Sequence, residues 1–161
     1  MICRLLLSDL NSLQGVINDA AEACKGVIPE DQWKEPYMST EELQKEIEAD
    51  VEFYGWMEDD ILRGVMVIQA VKGTTLIRHS YVLSKYQRKG IGGKLLEHLT
   101  RLAKTPEILV GTWEDATWAI RFYEKHCLRL VSHEEKDRLL REYWNIPERQ
   151  IETSVVLRLK R

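Results

Sequence analysis

Three strand-like runs follow one another with almost nothing between them, and no other feature of the chain narrows its fold as far. Val51 to Met57, Ile61 to Val71 and Thr74 to Leu83 are rich in β-branched and aromatic residues. The acidic turn Glu58-Asp59-Asp60 joins the first two, and Lys72-Gly73 joins the second to the third. Connections this short leave no room for a crossover helix, so the runs pair antiparallel as a meander. Such a sheet must bury at least one face, and the flanking sequence supplies the covers.

Ahead of the meander, Ile2 to Leu7 reads as an opening strand, with Ser8 and Asp9 capping a helix. The helix carries an apolar stripe of Leu10, Leu13, Ile17, Ala20, Ala21 and Cys24, close to a period of roughly 3.6 residues, and Gly26 ends it. Val27 to Met38, with two prolines, Trp33 and Tyr37, reads as an irregular loop with a helical turn. Ser39-Thr40-Glu41-Glu42 is a capping box that opens a helix to about Ala49, buried along Leu43 and Ile47. Beyond the meander, Gly90 to Ala103 is helical, with Ile91, Leu95, Leu99 and Leu102 inward and Pro106 blocking continuation. Ile108 to Thr112 reads as a buried strand, Asp115 to His126 as a helix, and Leu128 to Ser132 as a strand. Lys136 to Tyr143 forms a short helix before a closing strand, Ile151 to Lys160. This order predicts an α+β fold, with a helix inserted between two later strands that run parallel.

Length and charge then exclude classes of function. The 161 residues hold no repeat, low-complexity tract or linker, so residues 1–161 read as one domain. Lys and Arg number 23 against 26 Asp and Glu, and a net charge of −3 lacks the basic footprint of a nucleic-acid binder. No apolar run approaches the about 20 residues that span a membrane. Met1 to Leu10 carries one Arg and a three-Leu run, too short for a secretory signal. Cys3, Cys24 and Cys127 are odd in number and widely spaced, which suits reduced thiols in the cytoplasm rather than a disulfide frame or a metal site.

The stretch that carries chemistry is Tyr81-Val82-Leu83-Ser84-Lys85-Tyr86-Gln87-Arg88-Lys89-Gly90-Ile91-Gly92-Gly93-Lys94. A strand ends, a basic turn follows, and a helix begins among glycines. At a helix start about four backbone N–H groups lack partners, and the macrodipole adds positive potential. Gly90, Gly92 and Gly93 offer no Cβ to hold a ligand off, while Arg88, Lys89 and Lys94 add charge. The arrangement is an anion cradle suited to a phosphate or pyrophosphate. It is not a P-loop, because Gly93-Lys94 is followed by Leu95. Nor is it a dinucleotide fingerprint, because the third glycine position after Gly90 and Gly92 is Leu95.

Gln87-Arg88-Lys89-Gly90-Ile91-Gly92 resembles the acetyl-CoA signature of the GNAT N-acetyltransferase superfamily, Gln/Arg-x-x-Gly-x-Gly/Ala. Ala119-Ile120-Arg121-Phe122-Tyr123-Glu124-Lys125-His126 resembles that family's later Ala-Ile-x-Phe-Tyr-Glu-Lys block. Three positions depart from the family pattern. Ser84 replaces a frequent proline, Ala116 a frequent Asn, and Cys127-Leu128 a common Gly-Phe. The resemblance implies a three-layer fold, a mixed and mostly antiparallel sheet flanked by helices, with two parallel strands splayed at the cofactor site. It implies acetyl-CoA as cosubstrate and no metal. The pyrophosphate would lie on the Gln87 to Gly92 turn, with Gly93 and Lys94 close by. The pantetheine arm would pair with the strand end at Val82 and Leu83, and the Val82 amide would face the thioester carbonyl.

On the later helix Ala116, Ala119, Ile120 and Tyr123 share a face, at i, i+3, i+4 and i+7. Small residues there would admit the thioester, and Tyr123 would protonate the departing thiolate as general acid. For the general base His79 ranks first, since its ordinary pKa suits the task. Strict alternation places it on the face opposite Val82, which a bulge would change. Glu52, Glu30 or Glu114 acting through water are the alternatives. By resemblance, Glu30, Trp33, Tyr37 and Met38 border the acceptor site, joined by Trp113. The five tryptophans serve either an aromatic-lined acceptor pocket or the core, and Trp56 and Trp144 read as core. Tyr143 to Ile151 has two readings, a cover over the cofactor or a homodimer edge. The expected activity is acetyl transfer to a primary amine, on a small molecule or a peptide, by direct attack in a ternary complex. The alternative is a non-catalytic acyl-CoA-binding or sensor module.

Overall fold

The meander forms as its short turns require. In a computed structural model that describes residues 1–49 and 51–161, β2 (Glu52–Glu58), β3 (Ile61–Val71) and β4 (Thr74–Val82) pair antiparallel in sequence order. β1 (Ile2–Leu5) adds to the β2 edge. On the other side β5 (Glu107–Trp113) joins β4 in parallel, β7 (Ser154–Lys160) joins β5 antiparallel, and β6 (Arg129–Leu130) closes the sheet. The sheet runs β1-β2-β3-β4-β5-β7-β6, the mixed and mostly antiparallel arrangement expected.

The helices cover both faces. On one lie α1 (Leu10–Ala21) and α2 (Thr40–Glu48), together with α5 (His133–Tyr143) and the short α6 (Glu148–Glu152). Leu13, Ile17 and Leu43 pack there against Phe53, Val65 and Val67, and Leu139 and Leu140 against Leu76 and Leu109. On the other face α3 (Ile91–Leu102) and α4 (Thr117–Lys125) bury Leu95, Leu99 and Tyr123 against Met66, Ile77, Val110 and Leu157. Leu95 and Leu99 are fully buried, and truncating either to Ala would cost about 2–5 kcal/mol.

Local signals set most helix starts. The Ser39 hydroxyl accepts the Glu42 N–H at 3.1 Å, as the capping box predicts, and Ser132 does the same for Glu135 at 3.2 Å. At α1 the expected cap works differently: the Asp9 carboxylate accepts the Leu6 N–H at 2.8 Å rather than an amide of its own helix. The closing strand begins at Ser154, not Ile151, because α6 occupies residues 148–152. Buried Lys136 donates to the Ile151 carbonyl at 2.8 Å, and Ser154 to the Gln150 carbonyl at 2.6 Å, which holds that turn helical.

One feature of the sheet makes a site. β4 and β5 pair only at Thr75–Ile108, Leu76–Leu109 and Ile77–Val110. Past that point β4 stays with β3 as far as Val82, while β5 stays with β7 as far as Trp113. Two parallel strands that follow different neighbours must diverge, and a gap opens between them.

Candidate active site

The gap is shaped first by a bulge. Val65 pairs with Tyr81 but Val67 pairs with Arg78, so His79 and Ser80 both stand opposite Met66. His79 adopts φ +45°, a left-handed conformation that costs a non-glycine residue about 1–2 kcal/mol. The bulge breaks alternation at a different place from the one expected. Ser80 keeps Val82's face and His79 stays opposite, while Arg78 turns to the side of His79. Both then reach Glu46 of α2: Arg78 Nη2 lies 3.0 Å from Oε1, and His79 Nε2 lies 2.8 Å from Oε2. Burial pushes the Glu46 carboxyl up, but His79 and Arg78 outweigh that and hold it below the usual range. His79 also stacks on Phe53, with ring centroids 6.5 Å apart. Its Nε2 is engaged, so any base role falls to Nδ1.

Past the bulge, Tyr81 faces α1 and Val82 faces α3. The Leu83 N–H donates to the Arg63 carbonyl at 2.8 Å. Because successive amides of a strand alternate sides, the Val82 N–H points away from β3 and into the gap. The Gln87 side chain folds back to donate to the Val82 carbonyl at 3.1 Å, bracing the strand end.

The basic turn delivers the chain to α3 through two left-handed residues, Arg88 at φ +63° and Gly90 at φ +82°. The Lys94 N–H makes the first helical bond, to the Gly90 carbonyl at 3.1 Å, which leaves the Ile91, Gly92 and Gly93 amides without helical partners. Gly93 has a further role that the sequence reading did not assign. A Cβ there would stand 2.9 Å from His126 Nε2, so the missing side chain lets α4 approach. His126 Nδ1 lies 2.9 Å from the Phe122 carbonyl and must donate to it, leaving Nε2 facing the start of α3.

Tyr123 closes the gap from α4. It is buried, packs edge-on to Phe122 and hydrogen-bonds Ser80, and burial pushes its phenol up to about 12. It is therefore a neutral O–H at physiological pH, the form a proton donor needs.

These elements enclose one cleft of about 990 Å³ that passes between the splayed strands. Of the residues singled out in the sequence, it gathers His79, Val82, Gln87, Arg88, Gly90, Ile91, Gly92, Gly93, Ala116, Ala119, Tyr123, Tyr37 and Trp113. Five others fall outside its lining. Leu83 packs on the α1 side, Lys89 lies over the Tyr86 ring, and Lys94 lies over Trp56. Trp33 stacks behind Tyr37, and Glu30 belongs to a separate turn, 30–32. Lining residues the sequence reading passed over include Lys125 and His126 on α4, and Trp144, Ile146 and Gln150 near the end of the chain. Trp118, Phe122 and Lys125 recur at helical spacing, a signal that was available. For Trp144 and Ile146 no local pattern exists. Trp144 is not plain core: its indole lies over Gly111 of β5, 3.4 Å from where a Cβ would stand.

The family model of the GNAT acetyltransferases matches residues 16–127, well over half of the chain, and the chain belongs to that family. No curated protein sequence matches it significantly. Among solved structures it is similar to the PaiA N-acetyltransferase of Thermoplasma acidophilum in complex with coenzyme A, at 20% identity and TM-score 0.77, covering 100% of this chain and 98% of that one. It is similar also to an acetyltransferase of Streptococcus agalactiae, at 18% identity and TM-score 0.74, covering 100% and 98%. A ribosomal-protein-alanine N-acetyltransferase of Brucella melitensis aligns at 15% identity and TM-score 0.70, over 100% and 99%. At these identities the likeness concerns the fold. No helix among the described residues is long and apolar enough to cross a membrane.

Proposed function

We propose that the protein, acting as a single cytoplasmic domain, transfers the acetyl group of acetyl-CoA to a primary amine by direct attack in a ternary complex. One observation carries this reading. The Val82 amide, the unpartnered amides at the start of α3 and the Tyr123 phenol all converge on one gap between two diverging strands.

The residues divide the work by chemistry. The free amides of Ile91, Gly92 and Gly93, with Arg88, Lys125 and His126 around them, suit the pyrophosphate. The exposed edge of β4 suits the pantetheine amides, which would add to it as a strand. The Val82 N–H would then donate to the thioester oxygen as it gains negative charge. The neutral amine attacks the carbonyl carbon from the α1 side, forming the C–N bond. Collapse breaks the C–S bond, Tyr123 O–H gives its proton to the leaving thiolate, and the nitrogen sheds one. Ala116 and Ala119 leave room for the acetyl-bearing arm beside Tyr123. His79 Nδ1 is the group offered for the amine's proton.

Calorimetry with acetyl-CoA, followed by a thiol-release assay over a panel of amines, tests the reading. Binding with turnover supports it. Binding without turnover of any amine favours the sensor module instead.

A further inference from the structure

The side of the gap facing α1 and α5 has its own chemistry. One wall is an aromatic ladder: Trp33 stacks on Tyr37 with centroids 5.8 Å apart, and Tyr37 meets Tyr81 edge-on at 6.2 Å. The Tyr81 and Tyr37 hydroxyls are hydrogen-bonded at 3.2 Å. Burial pushes both phenols upward, so this wall carries no charge at physiological pH. The opposite wall is Trp144, seated over Gly111 one residue past the last β4–β5 pair, with Ile146 beside it in the cleft. No Asp or Glu is among the described residues that line the cleft. The nearest carboxylate, Glu46, is already taken by Arg78 and His79.

The two segments that bear these walls are also tied together. Arg149 Nε bonds Asp31 at 3.1 Å, and Gln32 bonds the Thr153 hydroxyl at 3.1 Å. These links join the turn ahead of Tyr37 to the helix that follows Trp144, and they leave the acceptor side enclosed on the strand-end side of the gap.

An acceptor seated here meets flat apolar surfaces and neutral hydroxyls. A second ammonium would be desolvated with only Arg78 and His79 for company. An aryl or branched apolar body would instead lie between the indole of Trp144 and the phenol pair. We infer that the acceptor is a small monoamine on an aromatic or branched apolar body, and that polyamines are excluded. This rests on the acetyltransferase reading above.

The test follows thiol release from acetyl-CoA with tryptamine and phenethylamine against spermidine, on the full chain and on Trp144→Ala and Ile146→Glu. Calorimetry with acetyl-CoA on each protein serves as the control for folding and for the cofactor side. The aryl amines should exceed spermidine in kcat/KM by about tenfold or more, and Trp144→Ala should remove about tenfold of that through KM. Ile146→Glu, by placing a carboxylate in the cleft, should narrow the preference toward spermidine. Equal or faster turnover of spermidine by the wild type overturns the proposal. So does acetyl-CoA binding without turnover of either aryl amine. Failure to bind acetyl-CoA overturns the acetyltransferase reading itself.

Discussion

On one face of the gap the cradle comes from two contiguous stretches, residues 82–93 and 116–126. On the other, the acceptor wall draws on residues 20–24, 37, 78–81, 111–113 and 144–154, brought together only by the fold. The first face positions backbone amides at a strand end and a helix start, which any chain with the right turn can do. The second positions side chains, and these belong to this chain alone. The contrast teaches that the transferable half of the chemistry is local in sequence and the selective half is not.

The largest test of that contrast is Gly92→Glu. A carboxylate at the helix start repels the pyrophosphate, and acetyl-CoA affinity should fall by about 100-fold or more in calorimetry. Retained affinity would break the assignment of the cradle. Tyr123→Phe comes next: kcat should fall by about 100-fold while acetyl-CoA binding stays within error. The alkaline limb of the wild-type rate should show no fall from Tyr123 until pH approaches about 12.

A smaller effect belongs to Glu46, on the acceptor face. Its carboxyl is held below the usual range, so its contribution to stability is present above the unfolded carboxyl value and is lost as pH drops through the folded one. Glu46→Gln should lower stability by about 1–3 kcal/mol at neutral pH, and denaturant midpoints should converge with wild type as the medium turns acid. Persistence of the gap at low pH would show that the ion pairs are not its source. The smallest effect should follow Arg149→Ala. That pair is exposed, so stability should change by under about 1 kcal/mol while KM for the amine rises and acetyl-CoA binding holds. A change in acetyl-CoA affinity instead would mean that the two faces are not separable.

The same contrast explains what could be read from sequence. The meander, the α3 start and the two motif blocks follow from residues within a dozen positions of each other, and all stand in the fold as expected. The strand splay needed one more fact, that β5 keeps β7 while β4 keeps β3, which no local pattern states. α6 escaped because a five-residue helix completes too little of a turn to show a period, and its hold comes from Lys136, on another helix. Trp144 looked like core because an apolar indole near a chain's end normally is. Only Gly111, 33 positions earlier, gives it a place at the gap. The His79 bulge was foreseen as a condition, but its effect fell on Arg78, since a left-handed residue and its predecessor end on the same side.

That bulge sets how this chain tolerates change. Substitutions along β4 alter one contact each, and the sheet absorbs them. Deleting a single residue between Arg78 and Tyr81 would rotate every later side chain by half a turn. Tyr81 would then swing toward the cofactor helix, Val82 toward the acceptor, and the amide now facing the gap would face β3. The strand is thus forgiving of spelling and intolerant of length. In any lineage of this protein, insertions and deletions should fall in the turns at either end of β4 and spare the strand itself.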